Sequence, residues 1–169
     1  MTRKYTLRVI KWLLSAASAL AVGAIAVGQM GLLQGKAPVD LGVRQGKLKG
    51  LSATDNSVSS QADMYREHPQ YTYSSIAPLA VRGDGPATMA RLQGIVQGMD
   101  GAKLITTAPD YLYAQYTTRL MNYIDDVEFW FDPDNQVIQV RSASRLGKSD
   151  LGVNRQRIEA VRTALAAAP

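Results

Sequence analysis

Between Lys11 and Lys36 the chain runs uncharged for long enough to cross a membrane. Residues 12–33 make up 22 positions without an ionisable group, and only Ser15, Ser18 and Gln29 among them are clearly polar. At ~1.5 Å rise per residue this is ~33 Å of helix, against a hydrocarbon core of ~30 Å. A bare charge in that core is costly, so an uncharged run bounded by lysines is what a span requires. The basic residues ahead of it, Arg3, Lys4, Arg8 and Lys11, should stay cytoplasmic and send the rest of the chain outward. The expected arrangement is a single-pass inner-membrane protein with a periplasmic C-terminal domain. The alternative is a cleaved signal peptide, because Ala24-Ile25-Ala26 has the small-x-small form of a cleavage site. Cleavage near Ala26 would leave a soluble periplasmic protein. The apolar run continues to Leu33, longer than the ~7–15 residues of a signal core, and this favours retention.

The same tail explains the overall charge. The chain has a net charge of +5. Its first 35 residues hold four basic side chains and no acid, while the remaining 15 basic and 14 acidic residues nearly cancel. A phosphate-binding face needs a clustered basic excess on the folded domain, so the pattern speaks against nucleic acid as a partner. There are no cysteines. Disulfides, thiolate metal sites and cysteine nucleophiles are therefore excluded.

Four segments follow: a cytoplasmic basic tail (1–11), a transmembrane signal-anchor helix (12–33), an extended linker (34–61) and a soluble domain (62–169). The linker is rich in Gly, Lys, Ser and Pro and has no period. In the domain, residues 71–81 are read as a first strand. Gly83-Asp84-Gly85 is a break, and Pro86 fits the first position of a helix whose stripe is Met89, Leu92, Ile95, Val96 and Met99. Residues 104–107 and 111–118 read as strands. Residues 126–131 and 137–144 flank a turn, Asp132-Pro133-Asp134-Asn135-Gln136, and so form a hairpin. A last helix is expected after Asn154, a good N-cap, with Ile158, Val161 and Leu165 inward and Arg155 paired with Glu159. The fold class is α+β. One mainly antiparallel sheet carries about two helices on one face, in the order β-α-β-β-β-β-α, behind an N-terminal transmembrane helix.

Counting back from the turn sets Phe131 opposite Ile138, Phe129 opposite Val140 and Glu128 opposite Arg141. Period-2 alternation then sorts the faces. Val127, Phe129, Phe131, Ile138, Val140 and Ser142 share the core face. Asp126, Glu128, Trp130, Gln139, Arg141 and Arg145 share the other, expected to be a solvated face on which Glu128 and Arg141 pair for ~0.2–1 kcal/mol. A polar site is the competing reading of that face. Asp126 and Glu128 could do acid–base work, and Arg141 and Arg145 could grip an anion. No metal or cofactor is expected: the only histidine, His68, stands in a loop-like stretch, and Ser59 and Ser60 have no evident base. The seven tyrosines after residue 60 are read as packing residues.

The segments DDVEFWFD and IQVRSASRLGKSDLGVNRQRIEAVR resemble the C-terminal block of the family known as domain of unknown function 1499. PVDLGVRQGKLKG followed by SVSSQA resembles its N-terminal block. The likeness spans residues 38–162. Where the family carries a cysteine pair this chain has Leu51 and Ser57, so no thiol role carries over. The resemblance supplies no reaction. It implies that Asp125, Asp126, Glu128, Arg141, Ser142, Ser144, Arg145, Asp150, Asn154 and Arg155 occupy motif positions of a structural or binding network. No catalytic set emerges. The leading expectation is a non-enzymatic binding or accessory domain at the membrane surface, meeting an envelope protein or a small ligand. The alternatives are a hydrolase using Asp126 and Glu128, and a carrier of a lipid or small amphiphile.

Overall fold

The computed structural model describes residues 2–168. Helix α1 spans Thr2–Gln29, and its portion Tyr5–Gln29 is long and apolar enough to cross a membrane. It ends four residues before the apolar run does, because Gly31 turns the chain at φ +77. The Met30 and Gly31 N–H groups close the last turn on the carbonyls of Ala26 and Gly28.

The strands are β1 (Ser57–Ser59), β2 (Leu79–Ala80), β3 (Ala102–Thr107), β4 (Tyr111–Thr117), β5 (Ile124–Asp132) and β6 (Val137–Ser144). They form one sheet in the order β1-β6-β5-β4-β3, with β2 also pairing β6, and every pairing is antiparallel. Three α-helices follow α1 among the described residues: α2 (Tyr71–Ser74), α3 (Gly85–Gln97) and α4 (Val153–Ala167). The hairpin register agrees with the count from the turn: Glu128 faces Arg141, Phe129 faces Val140 and Phe131 faces Ile138.

Helices α3 and α4 lie together on one face. Met89, Leu92 and Val96 from α3 and Ile158, Val161 and Leu165 from α4 are buried with Leu112, Val127, Phe129, Ile138 and Val140 of the sheet. Each such side chain contributes roughly 1.5–3 kcal/mol of burial. Helix α3 starts with proline in its first turn, as its sequence predicts, and Asp84, read from the sequence only as part of a break, caps it: its carboxylate accepts from the Ala87 N–H at 3.0 Å. Gly85 is required for packing, since a Cβ there would lie 2.2 Å from the Phe131 ring.

Two expected elements differ. Residues 71–81 do not form a strand; they hold the short α2 and then only the two residues of β2. Tyrosine-rich alternation resembles a strand, but here the side chains serve tertiary contacts, such as the Tyr73 hydroxyl on Asp150. Helix α4 is not capped by Asn154, which lies inside it and is buried. Asp150 does that work: its carboxylate accepts from the Gly152 and Asn154 N–H groups at 2.9 and 3.1 Å.

The segment that composition marks as a linker, 34–61, packs on the sheet. It contains β1, and Leu48 within it is buried. The Leu48 N–H donates to Gln61 Oε1 at 2.8 Å, and Gln61 Nε2 donates to the Gly46 carbonyl at 2.9 Å. Residues 40–50 thus run as a strap across the sheet face opposite the helices.

Candidate functional site

Alternation along β5 and β6 distributes the motif residues over both faces of the hairpin. On the strap side lie Asp126, Glu128, Arg141 and Arg145. On the helix side lie Asp125, Ser142 and Ser144, joined by Asp150 and Asn154. Arg155 belongs to neither layer; its guanidinium donates to the Tyr73 and Ser75 carbonyls at 2.6 and 2.9 Å and fastens α4 to the α2 segment. Its expected partner Glu159 instead pairs with Arg162 at 2.9 Å.

The strap-side face is not solvated, contrary to the expectation of an exposed ion pair. The Glu128 and Arg141 side chains are 0% and 4% exposed, and their closest charged atoms stand 3.9 Å apart. Glu128 Oε1 accepts from the Gly42 N–H at 2.7 Å and the Tyr111 hydroxyl at 2.8 Å, while Oε2 has no hydrogen-bond partner. Burial pushes the Glu128 carboxyl above its ordinary range, and the Gly42, Tyr111 and Arg141 contacts offset only part of this. Burial likewise lowers the Arg141 guanidinium, whose Nε donates to the Gly50 carbonyl at 3.2 Å. Asp126 is better satisfied. Arg145 grips it with two bonds, at 2.8 and 2.7 Å, and the Tyr113 hydroxyl adds a third at 2.6 Å. That bonding holds the Arg145 guanidinium charged. Asp126 and Glu128 are both sealed from solvent. As they stand, neither could hand a proton to a substrate.

The helix-side layer is denser. Arg157 donates to Asp125 at 2.6 Å, to Asn154 Oδ1 at 2.8 Å and to the Ser142 hydroxyl at 3.1 Å, and stacks over Tyr116 at 4.5 Å. Asn154 Nδ2 is shared by Asp150 at 2.7 Å, Ser144 at 3.0 Å and the Asn56 carbonyl at 3.2 Å. Burial opposes ionisation of Asp150, yet the Tyr73 hydroxyl, the Gly152 N–H and Asn154 hold its carboxyl below the ordinary value. Tyr73 in turn is pushed up to about 12, first by burial and then by Asp150.

One side of this layer borders a cleft of about 400 Å³ at the end of the domain next to α1. Asp125, Ser144 and Asp150 contribute to its lining, and Leu33, Tyr123, Leu146, Leu151 and Val153 supply apolar walls. The end of α1 is seated beside it. Gln29 Nε2 donates to the Arg119 and Leu120 carbonyls, both at 3.0 Å. Gly28 lies so close to Met121 that a Cβ would approach its backbone to 2.7 Å.

Residues 47–165 match a family described as protein of unknown function (DUF1499). The chain belongs to that family. No curated protein and no solved structure matches the chain. The DUF1499 match takes in the helix-side layer, the strap-side charges and the cleft walls from Tyr123 onward. It begins after Asp40 and Gly42 and leaves out α1 altogether.

Several participants escaped the sequence reading. Arg157 stands three residues after Asn154 on α4, a helical spacing that could have paired them. Tyr111 and Tyr113 alternate along β4 in step with Glu128 and Asp126, a period-2 signal obscured by reading tyrosines as packing. Gln61 and Asn56 gave no signal. Among the described residues no group of three or more His, Asp and Glu side chains is placed to hold a metal ion. His68 Nδ1 accepts from the Gln70 N–H, and the Ser60 hydroxyl donates to Gln139.

Proposed function

We propose that this DUF1499 protein is a membrane-anchored, non-enzymatic accessory domain of the cell envelope that works at the membrane surface. The observation that carries the reading is the seating of α1. A helix fit to cross a membrane is tied through Gln29 and Gly28 to the 119–121 loop, beside the apolar-walled cleft. An anchor at this position would bring that end nearest the bilayer, which supports a role there. The basic residues before the span favour a cytoplasmic N-terminus and a periplasmic domain. The sealing of Asp126 and Glu128 weighs against a hydrolase that uses them. The filled space between helices and sheet weighs against a carrier with an enclosed apolar cavity. Cleavage near Ala26 is the competing fate, and it would free the domain.

The cysteine-free chain makes sidedness simple to test. In cells expressing Thr2→Cys or Asp134→Cys, an impermeant maleimide should label position 134 in intact spheroplasts and position 2 only after lysis. The protein should stay with membranes through an alkaline wash. Release into the soluble periplasm with a new N-terminus near Val27, or labelling of position 2 from outside, would contradict the reading.

A further inference from the structure

We infer that the membrane-proximal end of the domain is itself a lipid-binding surface, docked into the bilayer interface around the anchor; this rests on the anchored reading above and names the bilayer as the partner. Three segments meet there: the turn after α1, the β4–β5 loop and the β6–α4 loop. They present Leu32, Leu120, Leu146, Leu151, Val153 and Tyr123 to the outside. Leu151 is the sharpest case. It is 87% exposed and sits on a left-handed backbone at φ +53, a conformation that disfavours a bulky residue. The loop therefore accepts strain while directing an apolar side chain away from the protein, and nothing within the domain covers it. Apolar side chains gathered in this way mark an interaction surface.

Two further observations select the bilayer as the occupant. The patch is continuous with the anchor: Gln29 is bonded to the Arg119 and Leu120 carbonyls, so Leu120 cannot lie far from the level at which the span emerges. Exposed basic side chains border the leucines, namely Lys36, Arg119 and Lys148. Arg119 has an ion pair with Asp100 at 3.3 Å, but its side chain is 84% exposed. Apolar residues dipping into the acyl boundary beside cations at headgroup level form the pattern of an interfacial segment. Docked in this way, the cleft opens onto lipid rather than water, and the hairpin tip at 133–136 points away from the membrane.

The full chain, reconstituted in vesicles of phosphatidylethanolamine and phosphatidylglycerol, allows a direct test. Single cysteines at Leu14→Cys, Leu120→Cys, Leu151→Cys and Asp134→Cys would each carry an environment-sensitive fluorophore, read with and without nitroxide-labelled lipid. Positions 14, 120 and 151 should be quenched at least about twofold more than position 134, with blue-shifted emission at 120 and 151, as expected for burial to ~5–10 Å. Quenching at 14 with positions 120 and 151 as wet as 134 would overturn the docking and leave the anchor intact. That outcome would reserve the patch for a protein. Absence of quenching at 14 would overturn the anchored reading and the docking with it.

Discussion

Two polar layers enclose the β5–β6 hairpin, one under α4 and one under the strap. On the helix side, Arg157 and Asn154 are saturated by short bonds to Asp125, Asp150, Ser142 and Ser144. On the strap side, Asp126 and Arg145 are equally well matched, but Glu128 and Arg141 are buried 3.9 Å apart with one carboxylate oxygen unpartnered. Burial raises the stakes of a polar group in both directions: a satisfied one specifies the fold, and a half-satisfied one weakens it. The contrast assigns the helix-side layer to holding α4 and the hairpin together, and the Glu128–Arg141 pair to a weaker structural role than its central position suggests.

The largest expected effect breaks the helix-side layer. Asn154→Leu removes the side-chain amide that accepts from Ser142 and Arg157 and donates to Asp150, Ser144 and the Asn56 carbonyl, each bond worth ~0.5–1.5 kcal/mol, so a total loss of about 4 kcal/mol is expected. Urea denaturation of the full chain in detergent, followed by Trp130 fluorescence, would measure it; a loss below about 1 kcal/mol would show the layer to be dispensable.

Arg141→Met should cost less, about 2–3 kcal/mol near pH 8. Because the Glu128 pKa lies above its ordinary 4.5 in the fold, its contribution to stability is full below 4.5 and is lost as pH rises through the folded value. Removing the Arg141 charge raises that value further, so the deficit should shrink toward pH 5. Adding Glu128→Gln should recover most of it. Equal losses at both pH values would show that Glu128 stays charged throughout.

How far these layers could be read from the sequence depended on what recorded each contact. Pro133, Asp134 and Asn135 fixed the turn, and the turn fixed the register, so the pairing of Glu128 with Arg141 was readable without the structure. The helices announced themselves through Pro86 and the spacing of Met89, Leu92, Ile158 and Val161. The strap did not. Much of its hold comes through the Gly42 N–H and the Gly46 and Gly50 carbonyls, and backbone groups leave no pattern in side-chain identity. A glycine-rich stretch without periodicity therefore reads as a linker even where it seals a charged face. Burial of Glu128 was hidden for the same reason, since alternation names a face but not what covers it.

A smaller effect is expected at Asp150. Its folded pKa lies below the ordinary 3.8, so its contribution is present above 3.8 and is lost as pH falls through the folded value. Asp150→Asn should cost about 1–2 kcal/mol at neutral pH and approach wild type in acid. Tyr73→Phe removes one donor from the same carboxylate, for about 1 kcal/mol. It should also delete a late tyrosinate step near pH 12 in an absorbance titration, because Tyr73 and Tyr116 are both pushed up to about 12. The stability carried by those neutral phenols is complete below pH 10 and lost between 10 and 12. A Tyr73 that titrates near 10 would show its hydroxyl to be neither buried nor bonded to Asp150.

The smallest effect belongs to the clamp on the strap. Lys49 and Asp40 meet at 2.6 Å with side chains 33% and 46% exposed, and solvent screens such a pair. Lys49→Met should change stability by no more than about 0.5 kcal/mol, leaving Leu48, Gln61 and the backbone contacts as what holds the strap. A loss near 2 kcal/mol would reverse that ranking.

Whether the strap is a fixed part of the fold decides between a structural charged face and a usable one. Native-state hydrogen exchange of the full chain in detergent addresses this at the Gly42 and Leu48 amides, which donate to Glu128 and Gln61. Exchange nearly as slow as that of the β5–β6 ladder is the expected result, with Asp126 and Glu128 sealed and function left to the end of the domain next to α1. Exchange as fast as an open linker would contradict the account, exposing both carboxylates to a substrate and returning the hydrolase reading to first place.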